Sequence, residues 1–177
     1  MDTWAEGIGK TETNNLLDRL ASHAAAADGL TVSGGEPFDQ PEALAVILQG
    51  WRSLSDRSVL VFTGRELREV EPWLSENPDL VDAIVTGPFR SDLPQTLALR
   101  GSDNQELHAL SPMGTDLLAY ERERGDLDRR LDVMFDVDGT AWFAGIPERG
   151  DLARLRRAMS ARGHRVETSA MPLGAKP

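Results

Sequence analysis

A chain of 177 residues, 40% hydrophobic and 27% charged, has the composition of a globular domain long enough to bury a core. Its 29 acidic residues outnumber 19 basic ones, and the net charge of −10 argues against a nucleic-acid partner, whose phosphates attract basic surfaces. There is no cysteine, hence no disulfide and no thiol redox site in the chain, and no apolar run approaches the ~20 residues that span a membrane. The amino terminus carries no basic-then-apolar export pattern, so the cytoplasm is the expected location.

In chain order, Met1 to Thr13 is irregular. Gly7-Ile8-Gly9-Lys10-Thr11 resembles the end of a phosphate-binding loop, but Trp4 stands where the first glycine is needed and no strand precedes it. A first helix is predicted over Asn14–Ala27, with Leu16, Leu17, Leu20 and Ala24 on one face and Gly29 as its stop. His23 reads as a surface or packing histidine. Leu30–Ser33 reads as a short buried strand. Gly34-Gly35 follows, able to take backbone angles closed to other residues and to let a ligand approach the main chain. Glu36 then places one carboxylate at the carboxyl end of the strand. In parallel α/β folds ligands bind at that end, and bare backbone beside a carboxylate suits a small ligand with an ammonium group. A tight strand-to-helix turn with no ligand is the competing reading.

A second helix is predicted over Pro41–Leu54, capped by Asp39 with Glu42 as its capping-box partner and Leu44, Ile47, Leu48 and Trp51 on its apolar face. Ser58–Phe62 is the next buried strand, closed by Thr63-Gly64. A third helix starts near Arg65, with Leu67, Val70 and Leu74 facing the core and Pro72 expected to kink or split it. Asp82–Thr86 is a third strand. The alternation predicts a parallel sheet with right-handed crossovers. Glu106–Leu110 reads as a short strand and Thr115–Arg124 as a helix, followed by a charged connector to Arg130. Leu131–Val137 and Ala141–Gly145 read as strands of a hairpin turning at Asp138-Gly139, before a helix capped by Asp151, bearing Leu152, Leu155 and Met159, and ended by Gly163. The predicted division is residues 1–125 as a main domain, 126–168 as an appendage and 169–177 as a disordered tail.

The stretch Ser33-Gly34-Gly35-Glu36-Pro37 after a short strand resembles the GGE motif of radical S-adenosylmethionine (radical SAM) enzymes. Val59–Gly64, Ile84–Phe89 and Leu99–Gln105 follow in an order and spacing similar to the anaerobic ribonucleotide reductase activating proteins, a subgroup of that family. The resemblance covers roughly the first two thirds of the chain. It implies an α/β fold, a partial (β/α) barrel of the radical SAM type missing its first strand and cluster loop. Gly34, Gly35 and Glu36 would hold the methionine end of S-adenosylmethionine, Thr63 and Gly64 would line the same site, and Asn104 and Gln105 are further candidates. No catalytic residue is assigned. The implied activity is oxidoreductase chemistry that generates a glycyl radical on a partner such as anaerobic ribonucleotide reductase.

The chain departs from that family at one point. Its members ligate a [4Fe–4S] cluster through CxxxCxxC, and iron–sulfur clusters overwhelmingly take thiolates, which this sequence lacks. Two alternatives stay open: a start upstream that supplies the loop, or a cluster-less relative acting as a non-catalytic binding or partner module. Asp136-Val137-Asp138-Gly139-Thr140 separately resembles the first motif of haloacid-dehalogenase-like phosphatases. That chemistry needs a following lysine and more strands, and only Lys176 follows, so the hairpin reading is preferred.

Overall fold

The computed structural model describes residues 11–129, 132–135, 141–145, 148 and 150–163. They divide between Glu123 and Arg124 into two compact units. The first holds α1 (Thr13–His23), β1 (Gly29–Val32), α2 (Pro41–Leu54), β2 (Ser58–Phe62), α3 (Leu67–Glu76), β3 (Ala83–Thr86), β4 (Glu106–Ala109) and α4 (Pro112–Leu117). The second holds β5 (Asp132–Phe135), β6 (Ala141–Ala144) and α5 (Asp151–Ser160).

Four strands form one sheet in the order β1-β2-β3-β4. β1, β2 and β3 run parallel, with Val32 opposite Val61 and Phe62 opposite Val85, and β4 returns antiparallel to β3. The period-2 geometry of a strand sorts the side chains onto two faces. Val59, Val61 and Ile84 point into a core shared with Ala24, Phe38, Leu44, Leu48, Trp51 and Val70, so α2, α3 and the turn after α1 cover that face, with α1 packed on α2. Leu60, Ala83, Val85 and Leu107 point the other way and pack with Leu99, Leu117 and Tyr120. Burial on both faces explains why β2 and β3 read as unbroken apolar runs. β1 is only half-buried, contrary to the buried strand expected from its sequence, because among the described residues it pairs on one side only.

Several local expectations are corrected. α1 ends at His23, earlier than Ala27, and a turn leads into Gly29. Asp39 does not cap α2: it lies in a 3-10 turn over Pro37–Asp39, the cap position falls to Gln40, and the Asp39 carboxylate pairs with Arg65 at 2.6 Å. The capping box sits instead on α3, between Glu66 and Glu69. Pro72 does not split α3, which runs unbroken to Glu76; the next residue, Trp73, anchors it by an edge-to-face contact with Phe38 and an indole hydrogen bond to the Pro41 carbonyl. α4 starts earlier than expected, because the Ser111 hydroxyl caps it by accepting from the Gly114 amide, and it gives way to a 3-10 turn over Leu118–Tyr120. β5 and β6 pair antiparallel, while the Asp136–Thr140 segment lies outside the described residues. Asp151 is the first residue of α5, not its cap, and accepts from the Glu148 amide.

The amino-terminal edge of the sheet is closed by Asp82, whose side chain is 4% exposed. It accepts from Arg52 at 2.6 Å, the Val59 amide at 2.7 Å and the Ser111 hydroxyl at 2.5 Å. Burial alone would raise its pKa, but the hydrogen bonds from Ser111, Arg52 and Val59, with the Arg52 charge, outweigh it and hold the carboxyl below its ordinary 3.8. A group depressed in the folded state stabilises above its unfolded value and loses that contribution as pH falls through the folded one. Stability is therefore expected to decline in acid below about pH 4. Asp82→Asn leaves the partly buried Arg52 guanidinium without its counter-ion and should cost about 2 to 3 kcal/mol at pH 7, a difference from the parent that shrinks as pH falls below about 4, measured by urea unfolding.

Candidate functional site

The carboxyl ends of β1, β2 and β3 share one edge, and the pairing continues beyond the strands. The Thr63 amide donates to the Val85 carbonyl at 2.9 Å and the Gly87 amide to the Arg65 carbonyl at 2.8 Å. Above this edge Gly34 and Gly35 take φ of 84° and 54°, two successive left-handed residues that a side chain would strain. A Cβ on either would meet nothing within 4 Å, so the glycines serve the backbone path and leave open space over it. Their turn delivers Glu36.

The Glu36 carboxylate sits between two loops. Its Oε1 accepts from the Phe38 amide at 3.1 Å and the Thr63 hydroxyl at 2.7 Å, and its Oε2 from the Gly64 amide at 2.8 Å. Thr63 is buried, and its Oγ1 also accepts from the Arg65 amide, which fixes the hydroxyl's direction toward Glu36. A carboxylate offers about four acceptor positions, so three internal bonds leave one, on Oε2, for an incoming N–H. Glu36 is thus both a latch between the β1 and β2 loops and an acceptor with remaining capacity. The Arg65–Asp39 ion pair links the same two loops a second time.

Of the residues singled out in the sequence, the fold brings Glu36, Thr63 and Gly64 into contact, with Gly34 and Gly35 on the adjoining turn. Asn104 stands apart. Its Nδ2 donates to the Pro88 carbonyl at 2.8 Å, and its buried Oδ1 has no partner. Gln105 is held by the fold through three bonds: Oε1 accepts from the Gly101 and Ser102 amides and Nε2 donates to the Gly87 carbonyl. The Ser102 hydroxyl accepts from the Arg90 amide, and a Cβ on Gly101 would press on the Phe89 ring at 3.0 Å. Residues 101–105 therefore clasp residues 87–90 one by one and present Phe89 to solvent, 62% exposed. Hydrogen bonding thus ties down a stretch that shows no periodicity in the sequence.

The reading from sequence missed three contributors. Phe38 gives Glu36 a backbone amide, which no side-chain pattern reveals. Arg65 follows Thr63-Gly64 and was legible only as a helix start. Arg100, inside the Leu99–Gln105 motif, is buried with its Nη2 on Glu121 and has two donors unpartnered. Its sequence signal is an arginine set among Leu97, Ala98 and Leu99.

Among the described residues no group of three or more histidine, cysteine or acidic side chains is placed to hold a metal ion, and the whole chain has no cysteine. The residues present do not fit an iron–sulfur cluster. No helix among the described residues is long and apolar enough to cross a membrane.

Residues 1–108 match the family described as the 4Fe-4S single cluster domain. The chain is 31% identical over 110 residues to an anaerobic ribonucleoside-triphosphate reductase-activating protein of Enterobacteria phage T4, an alignment covering 59% of this chain and 69% of that protein. Proteins of the same name from Salmonella typhimurium and Escherichia coli K12 are 28% identical over 116 residues, covering 61% of this chain and 75% of theirs. No solved structure matches. With the match running over more than half of its length, the chain belongs to the 4Fe-4S single cluster domain family and is a relative of the anaerobic ribonucleoside-triphosphate reductase-activating proteins.

Proposed function

We propose that this chain binds S-adenosylmethionine at the carboxyl edge of β1 and β2 and serves a reductase or other glycyl radical enzyme as partner, in the manner its relatives' name describes. The sheet of residues 9–123 is read as part of a radical SAM-type partial barrel without its first strand, with 1–125 as the site-bearing domain and the residues after it as an appendage. The observation that carries the reading is Glu36, a carboxylate fixed by Thr63 and Gly64 beside open, left-handed Gly34-Gly35, with one acceptor position left on Oε2. An amino-acid ammonium fits that position as a charge-assisted hydrogen bond. The open backbone at Gly34 and Gly35 leaves room for the adjoining main chain of the ligand to lie flat. Bound S-adenosylmethionine would supply a sulfonium, the activated carbon–sulfur bond on which the family's chemistry turns. The protein's part is to hold and orient it.

The missing thiolates favour a second reading, a binding or partner module that does not carry out the radical step within this chain. The readings differ in whether iron–sulfur chemistry accompanies this chain.

Two measurements follow from this reading. By calorimetry, Glu36→Gln is expected to weaken S-adenosylmethionine binding ten- to a hundredfold, about 1.5–3 kcal/mol for a hydrogen bond to a charged group. Equal, measurable affinity in parent and variant would remove Glu36 from the site, and no binding by the parent would remove the cofactor from the account. Anaerobic reconstitution of the chain with iron and sulfide should yield no stoichiometric cluster, read by absorption and iron content; cluster iron at one equivalent per chain would contradict the thiolate argument.

A further inference from the structure

Arg100 is placed at odds with its chemistry. Its side chain is 2% exposed, its Nη2 donates to Glu121, and its Nε and Nη1 have no hydrogen-bond partner. Buried charged donors without acceptors are among the costliest groups a fold can carry. The main chain beside it is pinned. Leu99 takes φ of 57°, a left-handed conformation unusual for leucine that persists only where its surroundings impose it. The Arg100 carbonyl accepts from Gln95 at 3.3 Å, and the next amide, of Gly101, donates to Gln105 at 2.9 Å. The main chain at Arg100 is thus held on both sides, and the guanidinium itself is held, among the described residues, by Glu121 alone.

Beside it lies a solvent-open cleft of about 350 Å³. Most of its polar lining is already committed. Asp103 accepts from the Thr96 amide at 2.7 Å, the Thr96 hydroxyl at 2.6 Å and the Leu97 amide at 3.1 Å. Burial would raise the Asp103 pKa, but these three bonds, with the Arg100 charge, hold it below its ordinary value. His108 Nε2 bonds the Thr86 hydroxyl at 3.0 Å. Glu106, on the rim, is 3.5 Å from His108. Of the carboxylates around the cleft only Glu121 touches Arg100, and its side chain is 42% exposed, free to turn toward water.

We propose that this cleft binds a small monocarboxylate, which takes two N–H groups of Arg100 and displaces Glu121, an intramolecular placeholder. A guanidinium presents two edges to a carboxylate, Nε with Nη2 and Nη1 with Nη2. Glu121 occupies only Nη2, the nitrogen common to both, so each edge is left half-used. A ligand carboxylate on either edge satisfies one of the two orphaned donors. Charge selects the ligand class. With Glu121 turned outward, Arg100 requires one negative charge. A phosphate dianion would bring a second charge beside Asp103 and Glu106, and like charges repel. Leu97 and Leu107 line the cleft and suit a short alkyl chain on the acid. The site is separate from Glu36 and stands whether or not S-adenosylmethionine binds there.

The test titrates propionate, and inorganic phosphate in parallel, into the isotope-labelled parent, Glu121→Gln and Arg100→Lys, following the amides of residues 97–108 by NMR. Propionate should bind the parent. Glu121→Gln, which weakens the internal competitor, should bind it at least tenfold more tightly. Arg100→Lys, which keeps the charge and loses the planar edge, should bind it at least tenfold more weakly. Phosphate should be the weaker ligand throughout. Unchanged propionate affinity in Glu121→Gln, no propionate binding in either of those two proteins, or phosphate binding as tightly as propionate would overturn the proposal and leave Arg100–Glu121 as a structural ion pair. Should Arg100→Lys not fold, the comparison of parent with Glu121→Gln decides alone.

Discussion

A single carboxylate joins the loops after β1 and β2. Glu36 holds the Thr63 hydroxyl and the Gly64 amide with its side chain and its own Phe38 amide as well, so the ends of two parallel strands are fixed by one group. Parallel strands end with their loops side by side, and those loops carry polar backbone that needs partners. Here the first loop leaves β1 through two left-handed glycines that keep side chains off the surface, and the second turns at once into α3. The latch therefore organises the edge without filling it.

The opposite edge of the sheet is built for closure. Asp82 draws together Arg52 from α2, Val59 from β2 and Ser111 ahead of α4, and its carbonyl accepts from the Leu110 and Ser111 amides. Gly114 packs so tightly there that a Cβ would overlap the Asp82 carbonyl oxygen. One edge is thus sealed by a partly buried ion pair and a glycine contact, while the other keeps an acceptor and open backbone. The proposed site rests on that asymmetry more than on any one residue.

Much of the frame was legible because it rests on periodicity. Val59–Val61 and Ala83–Val85 are buried on both faces, which forces unbroken apolar runs, and Leu44, Leu48 and Trp51 recur at helical spacing. The Gly34-Gly35-Glu36 cluster with Thr63-Gly64 was legible because strand ends were. What failed was local chemistry decided by distant partners. Asp39 is a good cap by type, yet Arg65 claims it. Pro72 breaks helices by type, yet the packing of Val70 and Trp73 carries α3 through it. Residues 97–105 carry no period at all, because side-chain hydrogen bonds from Asp103, Asn104 and Gln105 set their shape. The turn expected at Asp138-Gly139 falls outside the described residues; β5 and β6 pair antiparallel.

The central claim is that the carboxyl edge around Glu36 receives an amino-acid-bearing ligand. It is tested most directly by titrating S-adenosylmethionine into the isotope-labelled chain and mapping which backbone amides respond. The account predicts saturable shifts at Gly34, Gly35, Phe38 and Gly64, with Val59, Leu110 and Ser111 at the sealed edge unmoved. Shifts concentrated at the sealed edge, or none at millimolar ligand, would contradict it.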